Sequence, residues 1–141
     1  MKRRIVSLAI GIALSVLAAQ AHHSLSGYDT GKQVSLEGIV TQFHFVNPHP
    51  FVMMEVKDAN GSAQPWRLEM DNLSELTDVG MTRETLKPGD RVVVRGNPSR
   101  EKPQSLYLRR LDRPADGFWY EQVGTSPQTG TARQARQTAR R

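Results

Sequence analysis

The chain has 141 residues, no cysteine, 38% hydrophobic residues and a formal net charge of +5. These values bound it to one small domain without disulfides, stabilised by packing alone or by packing plus a bound ligand or metal. The positive charge sits at the ends: between His22 and Val123 there are 12 basic and 14 acidic residues, a net of −2, which argues against a uniformly basic nucleic-acid-binding domain.

The first 21 residues read as a secretory signal peptide. Lys2, Arg3 and Arg4 precede an apolar run from Ile5 to Ala19, and Ala19-Gln20-Ala21 is a small-x-small cleavage site. The apolar run is shorter than the ~20 residues a membrane span prefers. The expected organisation is a signal peptide over 1–21, a β-barrel domain over 22–123 and a disordered basic tail over 124–141, in a periplasmic or secreted protein with no transmembrane span after cleavage.

The body reads as strands and turns. Gln33 to Phe45 is long and rich in β-formers, with an apolar phase that changes after Gly38 and so predicts a bend or bulge there, placing Ile39, Phe43 and Phe45 on one face. Asn47-Pro48-His49-Pro50 is a rigid break. Phe51 to Asp58 alternates at Val52, Met54 and Val56, and Asp58-Ala59-Asn60-Gly61 signals a hairpin. Trp66, Leu68 and Met70 give a third strand. Asn72 or Ser74 caps a short helix ending at Gly80, with a further helical turn over Thr82 to Leu86. Lys87-Pro88-Gly89-Asp90 is a turn, and Arg91–Gly96 and Gln104–Leu111 are the last two strands. The pattern predicts an all-β domain of small helical content: a five-stranded OB-like Greek-key barrel with one short helix between strands 3 and 4. Phe118, Trp119 and Tyr120 are expected to cover one end of the barrel. The tail from Gly124 carries Arg133, Arg136, Arg140 and Arg141 without an acid, which suits contact with anionic surfaces.

His22-His23-Ser24, Tyr28-Asp29, Leu36-Glu37-Gly38, Asn47-Pro48-His49, Trp66 and Leu86-Lys87-Pro88-Gly89-Asp90 occur in that order. Over roughly residues 22–112 the chain resembles a family of short exported bacterial proteins classed only as a domain of unknown function. The resemblance implies an exported OB-like barrel and no particular activity.

Four histidines remain after the expected cleavage: His22, His23, His44 and His49. A new N-terminus at His22 offers an amine of pKa about 8 beside an imidazole of pKa about 6.5. Together they chelate one ion, and His23 and His49 are candidate further ligands. Such nitrogens suit copper(II), the favoured ion, or another divalent metal. His49 sits on a turn stiffened by two prolines; His44 is the weaker candidate. The spacing matches no established zinc signature. Met53, Met54, Met70 and Met81 are read as packing residues before soft-metal ligands. No nucleophile elbow, phosphate loop or cysteine nucleophile occurs, so no catalytic residue is assigned. The competing reading is a metal-free periplasmic module for an envelope protein or small ligand, with Phe51 and Tyr107 as an outward apolar patch that the N-terminal segment could instead cover. The residue composition disfavours nucleic acid as a partner.

The signal-peptide reading makes a direct prediction: mass spectrometry of the exported protein should find an N-terminus at His22. Retention of Met1 in a membrane fraction would defeat both the address and the terminal-amine chemistry.

Overall fold

The computed structural model describes residues 23–132; the expected signal peptide, His22 and the final arginines lie outside them. A four-residue helix α1 (His23–Ser26) is followed by β1 (Val34–His44), β2 (Phe51–Lys57), β3 (Ala63–Glu69), helix α2 (Leu73–Asp78), β4 (Arg91–Pro98), β5 (Ser105–Arg113), β6 (Phe118–Val123) and β7 (Ser126–Gly130). The order across the sheet is β3-β2-β1-β4-β5-β6-β7, and β3 also pairs in parallel with β5. That pairing closes the first five strands into a barrel with the expected Greek-key order and with α2 between β3 and β4. Closure removes two sheet edges that would otherwise present unpaired backbone groups.

Alternation fills the barrel. Val40, Val52, Met54, Leu68, Met70, Val92, Val94, Leu106, Leu108 and Leu111 are buried, and Leu76, Met81 and Leu86 extend the core beneath the connection between β3 and β4. Helix α2 starts where Asn72 accepts the Glu75 amide at 3.0 Å, an N-cap that satisfies one of the helix's orphan donors. It ends in a Schellman arrangement, with the Gly80 amide on the Thr77 carbonyl and the Met81 amide on that of Leu76. Leu76 and Met81 are both buried, so the cap also carries an apolar contact.

The bend in β1 forms differently from the sequence expectation. Register slips between Val40 and Gln42, so Thr41 is the bulged residue, and the inward phase runs Leu36, Gly38, Val40 before changing to Phe43 and Phe45. Ile39 therefore faces outward and is 42% exposed. Gly38 has another role: a Cβ there would strike the Glu55 carbonyl and the Met54 side chain. Gly96 on β4 has the same relation to the Tyr107 carbonyl and Leu106. These two glycines let strongly coiled strands pass close to their neighbours, as a small barrel requires. Thr82 to Leu86 forms a turn, Thr85 donating its amide to the Thr82 carbonyl, where a helical turn was expected.

The C-terminal region also departs from expectation. Phe118, Trp119 and Tyr120 belong to β6, which pairs with the second half of β5, and only Tyr120 is fully buried in the core. The disordered tail expected from Gly124 contributes β7 through Gly130 instead. Residues 126–130 lack large apolar side chains, which is why their pattern does not announce a strand. Pro127 and Thr129 share the face of buried Gln122 and Tyr120, and Gly130, on the other face, lies against the Trp119 indole, where a Cβ would come within 2.7 Å of the ring. Thr129 adds a hydroxyl bond to the Val79 carbonyl at 2.8 Å, fastening the hairpin to the end of α2.

Replacing Gly96 or Gly38 by alanine should destabilise the barrel by about 1–3 kcal/mol through overpacking against backbone. Alanine at Gly27, which has open space around it, should cost far less. Urea denaturation of the three variants checks the contrast, and equal midpoints for all three would refute it.

Candidate functional site

A row of side chains crosses the outside of the barrel where β2, β3 and β5 meet. Pairing sets His44 beside Phe51, Phe51 beside Glu69, and Glu69 beside Tyr107. Each lies on the face opposite the core because its neighbours Val52, Leu68 and Leu106 point inward.

The Phe51 ring is engaged on both sides. His44 stacks on it with centroids 4.3 Å apart and planes 14° from parallel, and the Arg67 guanidinium carbon lies 3.4 Å from its centroid. The cation meets the negative face of the ring. His44 Nε2 is hydrogen-bonded to Gln42 at 2.7 Å, so this histidine is engaged in a local stack.

Tyr107 is 4% exposed, because the N-terminal segment lies over it. Tyr28 forms an isolated bridge with Ser99, its ring centroid is 5.7 Å from that of Tyr107, and its hydroxyl donates to Glu69 at 2.8 Å. Further backbone bonds run from Asp29 to Pro98 and from Arg100 to Gly27. The anchor is Tyr28; Leu25, nearby in the same segment, is 37% exposed. A partner would reach the Tyr107 ring only by displacing Tyr28.

Behind Tyr107 a polar network enters the core. Tyr107 donates to Asp71 at 3.4 Å, Gln122 donates to the same carboxylate oxygen at 2.6 Å, and Tyr120 donates to Gln122 at 2.9 Å. Burial, first of all, raises the phenol pKa values of Tyr28, Tyr107 and Tyr120. The Glu69 hydrogen bond adds to the rise at Tyr28, and Asp71 at Tyr107, so all three remain neutral donors at physiological pH. No sequence pattern announces this network, since its members come from β5, β6 and the residue after Met70. Glu75 shares the neighbourhood; desolvation first, and then the Asp71 charge, raise its pKa.

His49 lies on a turn clamped on both sides: the Pro48 carbonyl accepts the Leu73 amide at 3.3 Å, and the Pro50 carbonyl accepts the Met70 amide at 2.9 Å. Its Nδ1 is enclosed and has no hydrogen-bond partner among the described residues. His23 begins α1, and its side chain, like all of His22, lies outside the described part of the chain. Among the described residues no group of three or more His, Asp or Glu side chains is arranged to hold a metal ion, so a site of the expected kind would depend on His22 and His23. Met54, Met70 and Met81 are core residues.

Comparison with known families matches residues 11–106 to a family described as a family of unknown function, DUF6152. The chain belongs to this family. The DUF6152 match runs through α1 to the start of β5, and so covers His22, His23, His49, Phe51 and the α2 connection; the β6–β7 hairpin lies beyond it. No curated protein matches the chain. No described helix of this DUF6152 chain is long and apolar enough to cross a membrane.

The Glu75 carboxyl gives a pH prediction. Its folded pKa is raised above the ordinary 4.5, so the protonated form is favoured by folding. The associated stability is fully present below the unfolded pKa and is lost as pH rises through the folded value. Glu75→Gln should therefore raise the thermal midpoint at pH 7 and show a smaller gain, or none, at pH 4. A variant less stable than the parent at pH 7 would contradict this.

Proposed function

We infer that this chain is an exported β-barrel binding protein that holds one divalent metal ion, with copper(II) favoured, through its N-terminal histidines. In this reading, signal cleavage frees the His22 amine, which chelates the ion together with the His22 imidazole; His23 and His49 complete the set. The observation that carries the reading is His49, an imidazole on a doubly clamped turn whose Nδ1 is enclosed without a partner. An unpaired buried nitrogen is costly, and a ligand or a donor from the N-terminal segment would relieve that cost. The latch at Tyr28 adds support, since it returns the N-terminal segment to the barrel wall beside β3. Imidazole and amine nitrogens on a fixed turn match copper(II) better than a hard oxygen-seeking cation.

A metal-free interaction module is less favoured by the geometry. The Phe51 ring is covered by His44 and Arg67 and Tyr107 by Tyr28, so neither offers a free aromatic face.

Calorimetric titration of the processed protein with copper(II) and zinc(II) tests the reading. One ion should bind, stabilising the fold by about 2.7 kcal/mol when free metal exceeds Kd a hundredfold, and binding should weaken below about pH 6 as protons compete for the nitrogens. A form with one extra residue before His22 should lose the terminal chelate, and His49→Ala should bind more weakly. Equal binding by all three forms would defeat the assignment.

A further inference from the structure

We propose that the outer face where β4, β5 and β6 meet is a binding site for a small oxyanion, a carboxylate or phosphate group, held by Arg95 and Arg109. This inference is independent of the metal reading, since no histidine takes part in it.

The site arises from register. Arg95 on β4 lies opposite Arg110 on β5, and the pairing slips between Arg95 and Gly96, so that Arg109 becomes the additional residue of β5. Three arginines are thereby gathered on one short stretch of the wall. Like charges directly opposite on antiparallel strands destabilise a sheet, so the arrangement has a cost that internal packing does not require.

One of the three is neutralised within the fold. Arg110 binds Asp112 at 2.7 Å and Glu121 at 3.0 Å, and it lies over the Trp119 ring at 5.1 Å. Arg95 and Arg109 have no carboxylate within ion-pair distance among the described residues. All fourteen acidic side chains of the chain fall between Asp29 and Glu121, so no side chain outside the described region can supply one. The Arg109 guanidinium carbon is 6.0 Å from the Tyr107 ring centroid, a contact that leaves its N–H edge available.

These groups line a groove of about 200 Å³ together with Gln33, Glu121 and Gln122. Glu121 is the one carboxylate on its wall, and Arg110 holds it. Gln122 is engaged by Asp71 and Tyr120, which fixes the groove's inner side. The volume is below the usual range for drug-sized ligands and suits an oxyanion on a short body. Two guanidinium forks facing a small polar space match the bidentate geometry of carboxylate and phosphate. Other cations without an ion pair, such as Arg83 and Lys102, stand on exposed loops.

The test is an NMR titration of the full chain with sodium phosphate and, separately, sodium acetate, at ionic strength held constant with sodium chloride. Saturable shifts are expected at the amides of Gln33, Arg95, Arg109 and Gln122 with at least one of the two anions, and the tighter binder identifies the headgroup. Arg95→Gln and Arg109→Gln should each weaken binding by about tenfold or more, while Arg83→Gln leaves it unchanged. Arg95→Gln should also keep or raise the thermal midpoint in the absence of anion, since it removes like-charge repulsion; this separates loss of a site from loss of the fold. Shifts that fail to saturate with either anion, that chloride reproduces, or that persist in both arginine variants would overturn the proposal.

Discussion

Parallel pairing of β3 with β5 is the constraint on which the rest of the structure depends. Only three residue pairs make it, from Arg67 with Ser105 to Glu69 with Tyr107, yet it converts a sheet into a closed barrel and buries one face of every strand from β1 to β5. Closing so few strands requires strong coiling. The chain meets that demand with bulges at Thr41 and Arg109 and with Gly38 and Gly96, where neighbouring backbone occupies the space of a side chain. Each bulge also re-aims nearby side chains: the first turns Phe43 inward, and the second gathers the arginines.

Closure also decides what the N-terminal segment can touch. Because Glu69 and Tyr107 become neighbours only across the β3–β5 seam, the Tyr28 phenol spans that seam, its ring packed against Tyr107 and its hydroxyl on Glu69. A hydrogen bond to a charged acceptor in a partly buried setting contributes about 1.5–3 kcal/mol, enough to hold a short segment against the wall. The polar chain behind it, from Tyr107 through Asp71 and Gln122 to Tyr120, is satisfied at each link. This allows a charged group to sit near the core without an unpaired donor.

The β6–β7 hairpin extends the wall beyond the closed barrel and beyond the residues matched to the family. It delivers Gln122 to Asp71 and Glu121 to Arg110. Its open edge is short and carries Pro127, an arrangement that discourages pairing with another chain. The hairpin thus completes both the buried network and the arginine-lined groove, and it ties the wall to α2 through Thr129.

Much of the barrel was legible in the sequence. Period-two alternation at Val52, Met54 and Val56 and at Trp66, Leu68 and Met70, together with the Asp58–Gly61 and Lys87–Asp90 turns and the Asn72 cap, marks strands, hairpins and helix locally, because each depends on neighbours within a few residues. Residues whose roles depend on distant partners were not legible. Gly38 read as the bulge because a glycine and a phase change coincide there; the shift falls at Thr41, where coiling against β2 puts it. Residues 126–130 read as tail because an edge strand needs few apolar side chains once Trp119 covers its glycine. Tyr107 read either as an outward patch or as one covered by the N-terminal segment, and the choice was open because its cover, Tyr28, is far away in sequence. The order of the histidines, the turns and the strands was set by the sequence alone; which side chains share a wall was decided by closure, since register across a seam is fixed by the whole sheet and by no single strand.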